Sequence, residues 1–448
     1  MAHGTALACR FNRLAKKEIT LKTPRSLAVL LLFAFLASAA GAQTPAYDIY
    51  TAPAPLGQSA GEPSLGVNWS SGNVMFIAGL ETLRVSFDDS VTPAAATWED
   101  VSFPLTSVLT LDPILFTDPG TGRTFVAQLA GPASLMAFTD DDGASWLPST
   151  SGLVSGVDHQ SVGGGPLASL PGVGYPNAVY YCSQTVAFAG CALSLNGGLT
   201  FNPAVPIYNL LQCGGLHGHV KVAPDGTAYV PNKGCGAQQA VVVSANDGLT
   251  WTVRKVPGSS VGQSDPSVGL ASDGTAYFGF VGVDGHPRVA VSHNKGATWS
   301  TPKDVGAPFG IHNAVFPTVV AGDPDRAAFA FLGTATAGNA TGTDVNFPGA
   351  WHLYIATTYD GGATWTTVNA TPGDPVQRGS ICLQGTTCGA ARNLLDFMDV
   401  TVDEEGRVLA AFADGCVGAC ISGPPNSGTD IGVIARQSGG KGLFAAFD

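Results

Sequence analysis

Charge is scarce in this sequence: Asp, Glu, Lys and Arg make up 12% of the 448 residues, against roughly 25% in ordinary globular proteins. Long amphipathic helices need charged residues along their wet faces, so a mainly helical fold is excluded. Long apolar runs are missing too. The single candidate, Leu27 to Ala40, falls short of the about 20 residues that span a bilayer, which argues against stable membrane insertion. What is abundant is Gly (58) and Pro (30), which mark many turns. Apolar residues reach 45%, enough for a large core, so neither disorder nor a disulfide-only miniprotein fits.

Lys16, Lys17, Lys22 and Arg25 precede the apolar run, and Ala40, Gly41 and Ala42 follow it as an AxA-type site. Residues 1–42 therefore read as a secretory signal cleaved after Ala42, leaving 43–448 as one domain in a secreted or periplasmic protein. The signal carries six of the 21 basic and one of the 33 acidic residues, so the mature chain keeps 15 and 32, a net charge of −17. Such a balance opposes nucleic acid by Coulomb repulsion. The oligomeric state is not legible.

Cys9 leaves with the signal, and eight cysteines remain in close pairs: Cys182 with Cys191, Cys213 with Cys235, Cys382 with Cys388, and Cys416 with Cys420. An even count in an exported chain implies four short-range disulfides, although the last four lie near enough to pair differently. A zinc site is the competing reading, and the spacings match no usual ligand pattern. Sequons occur at Asn68, Asn339 and Asn369.

One octapeptide recurs: TDDDGASW from Thr139, SLNGGLTF from Ser194, SANDGLTW from Ser244, SHNKGATW from Ser292 and TYDGGATW from Thr358, with a stretched copy from Ser86 to Trp98. Asp or Asn at its third position can bond amides ahead of it, Gly at the fifth supplies a positive φ, and the last aromatic packs between neighbours. A second element repeats upstream of each copy, a strand, a Gly or Asp turn and another strand, as in HVKVAPDGTAYV from His219. The spacing suits four-stranded propeller blades. The octapeptide resembles the Asp-box, or BNR, repeat of the sialidase-like superfamily. Together these features predict an all-β fold, a β-propeller of seven four-stranded blades, with six as the alternative. The last blade lacks the octapeptide, and the segment near Tyr47 to Tyr50 is expected to close it.

In an up-and-down blade the octapeptide turns share one face, and the eight cysteines map to the other, where propellers usually place ligand sites. Aligned on the central aliphatic of each first strand, the residues three earlier include Glu62, Asp112, His159, His217 and Asp265, and one earlier include His219 and Asp399. Strand alternation points both sets the same way, giving an ionisable rim around the pore that suits general acid and base chemistry. The competing reading has the carboxylates that precede Pro bonding backbone amides between blades, and the histidines buried as ordinary hydrogen-bonding groups. Trp351 and His352 begin a third strand on this face, where Trp351 could stack on a sugar ring. The triplet Asp140, Asp141 and Asp142 suggests structural calcium, but a solvated turn explains it better, and no cofactor is expected.

The resemblance implies a glycan-acting enzyme, with Arg288, Arg378 and Arg392 on the candidate face as counterparts of the family's carboxylate-clamping arginines. The chain departs from the family at the first strand, which reads GEPSLG from Gly61 and puts Glu62 in place of the clamping arginine. A carbohydrate or glycoconjugate is the expected partner. A glycosidase is the first functional expectation. A uronate polysaccharide lyase and a non-catalytic glycan- or protein-binding propeller are the alternatives.

Overall fold

The repeated apolar runs become short strands whose two faces are both covered. Val74–Ala78 and Ala327–Thr334 are buried at every position, as strands must be when sheets pack on both sides. In the computed structural model, which describes residues 44–110, 112–130, 133–150, 158–423 and 427–448, all the strands belong to the compact unit Ala42–Asp448. The expected signal, residues 1–42, lies outside the described residues.

Seven antiparallel sheets are present among the described residues. Six follow chain order, spanning 64–100, 113–148, 158–209, 221–255, 267–304 and 313–369, and are blades one to six. Blade six carries an extra pair from Gln377–Arg378. Blade seven combines Asp399–Val402, Val408–Asp414 and Ile431–Gly439 with Ala46–Thr51, which pairs along Ile431–Gly439 as its outermost strand. The first strand of each blade touches that of the next, and the seventh returns to the first. The protein is thus a seven-bladed β-propeller closed by its N-terminal strand, as the sequence predicts.

The octapeptide turns work through the same bonds five times. The hydroxyl at position one accepts the amide of the Gly at position five, as Ser194 Oγ does from Gly198 at 2.8 Å and Thr358 Oγ1 from Gly362 at 2.9 Å. The third-position side chain accepts the amide of position seven, as Asn246 Oδ1 does from Thr250 at 3.0 Å. The closing aromatics of two blades reach back to the preceding one, Trp251 edge-on to Tyr180 and Trp365 edge-on to Tyr277.

Two residues of the triplet, Asp140 and Asp141, are exposed in the turn as expected, while Asp142 is buried. Asp140 pairs with Arg123, Asp141 caps its own turn, and buried Asp142 accepts from Asn68 and Asn73 of the preceding blade at 2.8 Å each. Asn68 is itself 6% exposed, which closes that sequon in the folded chain.

Blades are also tied at the hub. Ser64 Oγ accepts the amide of Leu115 at 2.7 Å, Ser161 Oγ that of Val220 at 2.7 Å, and Ser267 Oγ that of Val319 at 3.0 Å. Asp399 Oδ2 plays the same part toward Leu65 at 3.4 Å, joining blade seven to blade one. These residues stand one position before the central aliphatic of their strands. Ser64, Ser161 and Asp399 therefore face the next blade rather than the rim, whereas His219 of the same set lines the rim. Close approach at the hub needs small residues: a Cβ on Gly163 would sit 2.2 Å from the Val220 carbonyl.

The cysteines form Cys182–Cys191, Cys213–Cys235, Cys382–Cys388 and Cys416–Cys420, which gives the pairing of the last four and leaves none of these thiols free as a metal ligand. Four disulfides fit an oxidising, extracellular compartment. No helix among the described residues is long and apolar enough to cross a membrane.

Candidate functional site

Chain irregularities aim the site residues. The pairing of blade three shifts register between Asp158 and Ser161, and that of blade six between Val315 and Thr318. Such bulges redirect side chains. Within them His159 (φ 51°) and Phe316 (φ 55°) adopt left-handed backbone, as do Glu62 (φ 59°) at the aligned position in blade one and Leu395 (φ 58°) before blade seven. Left-handed geometry at such residues costs on the order of 1–3 kcal/mol and concentrates at functional sites.

These residues converge at one mouth of the hub. Glu62, Asp112, His159, His217, His219 and Asp265 all line one cavity of about 30 Å³, room for roughly one water. Six of the seven residues expected at an ionisable rim are therefore together. The seventh, Asp399, is buried in the hub tie described above and faces the central channel. His219 lines both the cavity and that channel, its ring edge-on to Phe397 at 4.6 Å, so the two rings form a divider between these spaces.

Half of the rim is satisfied internally. His159 Nδ1 lies 2.9 Å from Asp158 Oδ1 and its Nε2 lies 2.5 Å from Asp265 Oδ2, whose other oxygen meets Lys233 Nζ at 2.9 Å. Burial alone would strip the His159 proton, but Asp265 and Asp158 outweigh it and hold the ring as imidazolium well above its ordinary range. Burial likewise opposes charge on Asp265, and His159 with Lys233 overcomes it, holding that carboxyl far below the usual range. As an imidazolium, with no lone pair in the ring plane to offer, His159 is no proton acceptor.

The other half is only partly satisfied, and Glu62 shares a side-chain hydrogen bond with Asp396. Glu62 is 2% exposed, its Oε2 has no partner, and burial first, then Asp112 and Asp396, push its carboxyl well above the ordinary range. Asp112 is pushed up to about 6, chiefly by burial, while His159 counteracts. Its Oδ2 accepts the His159 amide at 3.1 Å. His217 Nδ1 donates to the Gly218 carbonyl at 2.9 Å, which leaves its buried Nε2 as an unpartnered acceptor. Burial holds His217 down to about 4, and His219 to about 3, so both are neutral at pH 7. The pivot between them must be glycine, since a Cβ on Gly218 would meet the Pro266 carbonyl at 2.2 Å. The cavity thus holds two carboxyls that both bind a proton more tightly than an exposed carboxyl, and a neutral imidazole with an unpartnered nitrogen.

The expected substrate-binding residues lie elsewhere. Trp351 is fully buried and donates to the Gly379 carbonyl at 2.8 Å, so it cannot stack on a sugar. His352 Nδ1 meets the Thr371 carbonyl at 2.6 Å. Arg288 and Arg392 are clamped by Asp284 and Asp396 through two contacts each, and Arg378 Nη2 donates to the Ile421 carbonyl. None of the three lines the cavity. Conversely, Asp158, Lys233 and Asp396 are central, and the alignment of first strands does not single them out. Lys233 has a usable signal, because it ends a second strand beside Cys235, on the face that carries the cysteines.

No family model matches the chain, and no curated protein does either. Among solved structures, it is similar to a protein of unknown function from Dyadobacter fermentans, at 12% identity over 87% of this chain and 98% of that one, with a TM-score of 0.44. A polysaccharide lyase, an ulvan lyase bound to -[GlcA(1-4)Rha3S]-, matches at 10% identity over 84% and 94% of the two chains, with a TM-score of 0.45. A Hadza microbial sialidase matches at 14% identity over 84% and 65%, with a TM-score of 0.36.

Proposed function

We propose that this propeller is an exported glycoside hydrolase of the Asp-box type, acting on neutral glycans. The observation that carries the reading is the pair Glu62 and Asp112, two buried carboxyls that line one cavity and whose surroundings raise the proton affinity of both. Glu62 would donate its proton to the departing glycosidic oxygen. Asp112 would accept a proton from the water that attacks the anomeric carbon, and His217 Nε2 would orient that water by accepting its second hydrogen. A cavity sized for one water holds the nucleophile, while the sugar rings bind across the mouth above it.

Electrostatics disfavours sialosides and uronates. Their carboxylates need a free cation, whereas Lys233 and Arg392 are already paired with Asp265 and Asp396. A uronate lyase would also require such a neutralising cation beside its base. The non-catalytic alternative draws on the chain Asp158, His159, Asp265 and Lys233, in which the ionisable groups satisfy one another. The test is a screen of the mature protein on neutral oligosaccharides, sialosides and uronate polymers, with Glu62→Gln and Asp112→Asn controls. Turnover abolished by either substitution supports the hydrolase. Binding without turnover on every panel member sinks it.

A further inference from the structure

A second concavity lies beside the rim cavity, and the chain itself connects them. Gln263 and Ser264 line a recess of about 340 Å³ between the loops of blades five and six, while the next residue, Asp265, lines the rim cavity. The shared wall is held in place from both sides. Lys233 Nζ donates to the Gln263 carbonyl at 3.2 Å while pairing with Asp265, and Thr341 Oγ1 donates to Gln263 Oε1 at 2.7 Å. Ser264 Oγ accepts the amide of the left-handed Phe316. The recess is therefore fixed relative to Glu62 and Asp112 by side chains already placed in the site, and its volume falls within the range of small-ligand pockets.

Its lining states a chemistry. Beside the apolar Val281, Val283 and Leu383, its uncharged polar side chains are amide, hydroxyl and imidazole, with Gln263, Ser264, Asn313 and the exposed His312 among them. No Lys or Arg lines it. The charged group present is the carboxylate of Asp284, which the Arg288 guanidinium clasps at 2.7 and 2.6 Å. A surface rich in donors and acceptors but without a free cation suits hydroxyl groups and repels carboxylates and sulfates.

We propose that this recess is a subsite for a further glycosyl unit of a neutral, hydroxyl-rich oligosaccharide whose scissile bond lies over the rim cavity. The assignment deepens the hydrolase reading and rests on it for the position of the scissile bond. It makes the protein a chain-acting enzyme, because binding energy gathered at a remote unit raises the rate at the reacting one.

The experiment compares neutral oligosaccharides from disaccharide to hexasaccharide on the mature protein and on Asn313→Ala, His312→Ala and the recess-filling Ala337→Trp. Affinity is measured in parallel with each variant placed in a Glu62→Gln background. In the unsubstituted protein, kcat/KM should rise about tenfold or more with chain length. In Ala337→Trp that rise should collapse to about twofold, with the shortest substrate unaffected. If the rise persists in all three variants, the recess is not a subsite and the hydrolase reading stands. If long chains bind with recess-dependent affinity yet nothing is turned over, the subsite stands and the hydrolase falls. Failure of every neutral chain to bind, or action on sialosides or uronates alone, overturns the proposal.

Discussion

His159 and Asp265 meet at 2.5 Å across the mouth of the hub, joining blade three to the loop ahead of blade five and passing over blade four. Their charges hold each other in place, and Lys233 completes the pairing from blade four. Asp265→Asn should therefore strand two cations in a poorly solvated place. The expected cost is about 3 kcal/mol, read as a lower urea midpoint with unchanged slope. A midpoint within experimental scatter of the parent would show that the chain of ion pairs adds nothing to stability.

The acid and base assignments fix a pH profile. Asp112 is pushed up to about 6, so hydrolysis should climb as pH rises through that value and the base ionises. Glu62 stays protonated well beyond its ordinary range, so the decline on the alkaline side should follow its ionisation. Glu62→Gln should lower kcat by on the order of 10²-fold or more and remove the alkaline limb. A profile level from acid to alkaline pH would exclude this pair.

Stability should move the other way with pH. Glu62 binds its proton more tightly folded than unfolded, so its contribution is greatest at low pH. That contribution declines once pH passes the unfolded value near 4.5. His159 acts in the same direction, since its ion pairs are fully formed below 6.5 and are lost as pH rises through its elevated folded value. Glu62→Gln cannot ionise. It should match the parent in thermal midpoint near pH 4 and exceed it at pH 8, by on the order of 1 kcal/mol. An equal or lower midpoint at pH 8 would contradict the burial of a reluctant carboxyl.

Asp399 occupies the place that serine holds in three other blades, bonding the neighbouring hub amide. Asp399→Ser should keep stability within about 0.5 kcal/mol, while Asp399→Ala should lose about 1 kcal/mol or more. Both should leave turnover unchanged, because Asp399 lies off the rim cavity. Loss of activity in a stable Asp399→Ser protein would restore it to the site.

The architecture is legible because each octapeptide acts locally: Ser194, Asn196 and Gly198 bond one another within five residues, so the pattern survives in the chain. The rim is legible because alignment of first strands compares like with like. What escapes is side-chain pairing that strand position does not register. Asp284 and Asp396 stand only four residues from Arg288 and Arg392, a local signal that a scheme of blades passes over. Nor does strand position reveal that Trp351 lies beneath the loop that reaches Gly379. Ser64, Ser161 and Asp399, one before the central aliphatic, depart from expectation for a related reason. Alternation gives the side of a strand, whereas the close packing of neighbouring blades turns that side into an interface.

The N-terminal strand has a consequence for how the molecule comes into being. Ala46–Thr51 is synthesised early, yet its partner Ile431–Gly439 is the last strand among the described residues. All four disulfides close loops no longer than 22 residues apart in sequence, so none of them carries this step. Until the C-terminal strand arrives, six blades must stand as an open arc with an unpaired strand waiting at one end. Joining the ends is a contact of very high sequence separation, the kind whose chain-entropy cost slows folding. The cavity at the hub is walled by residues from blades one to seven, so it is complete only when the ring is.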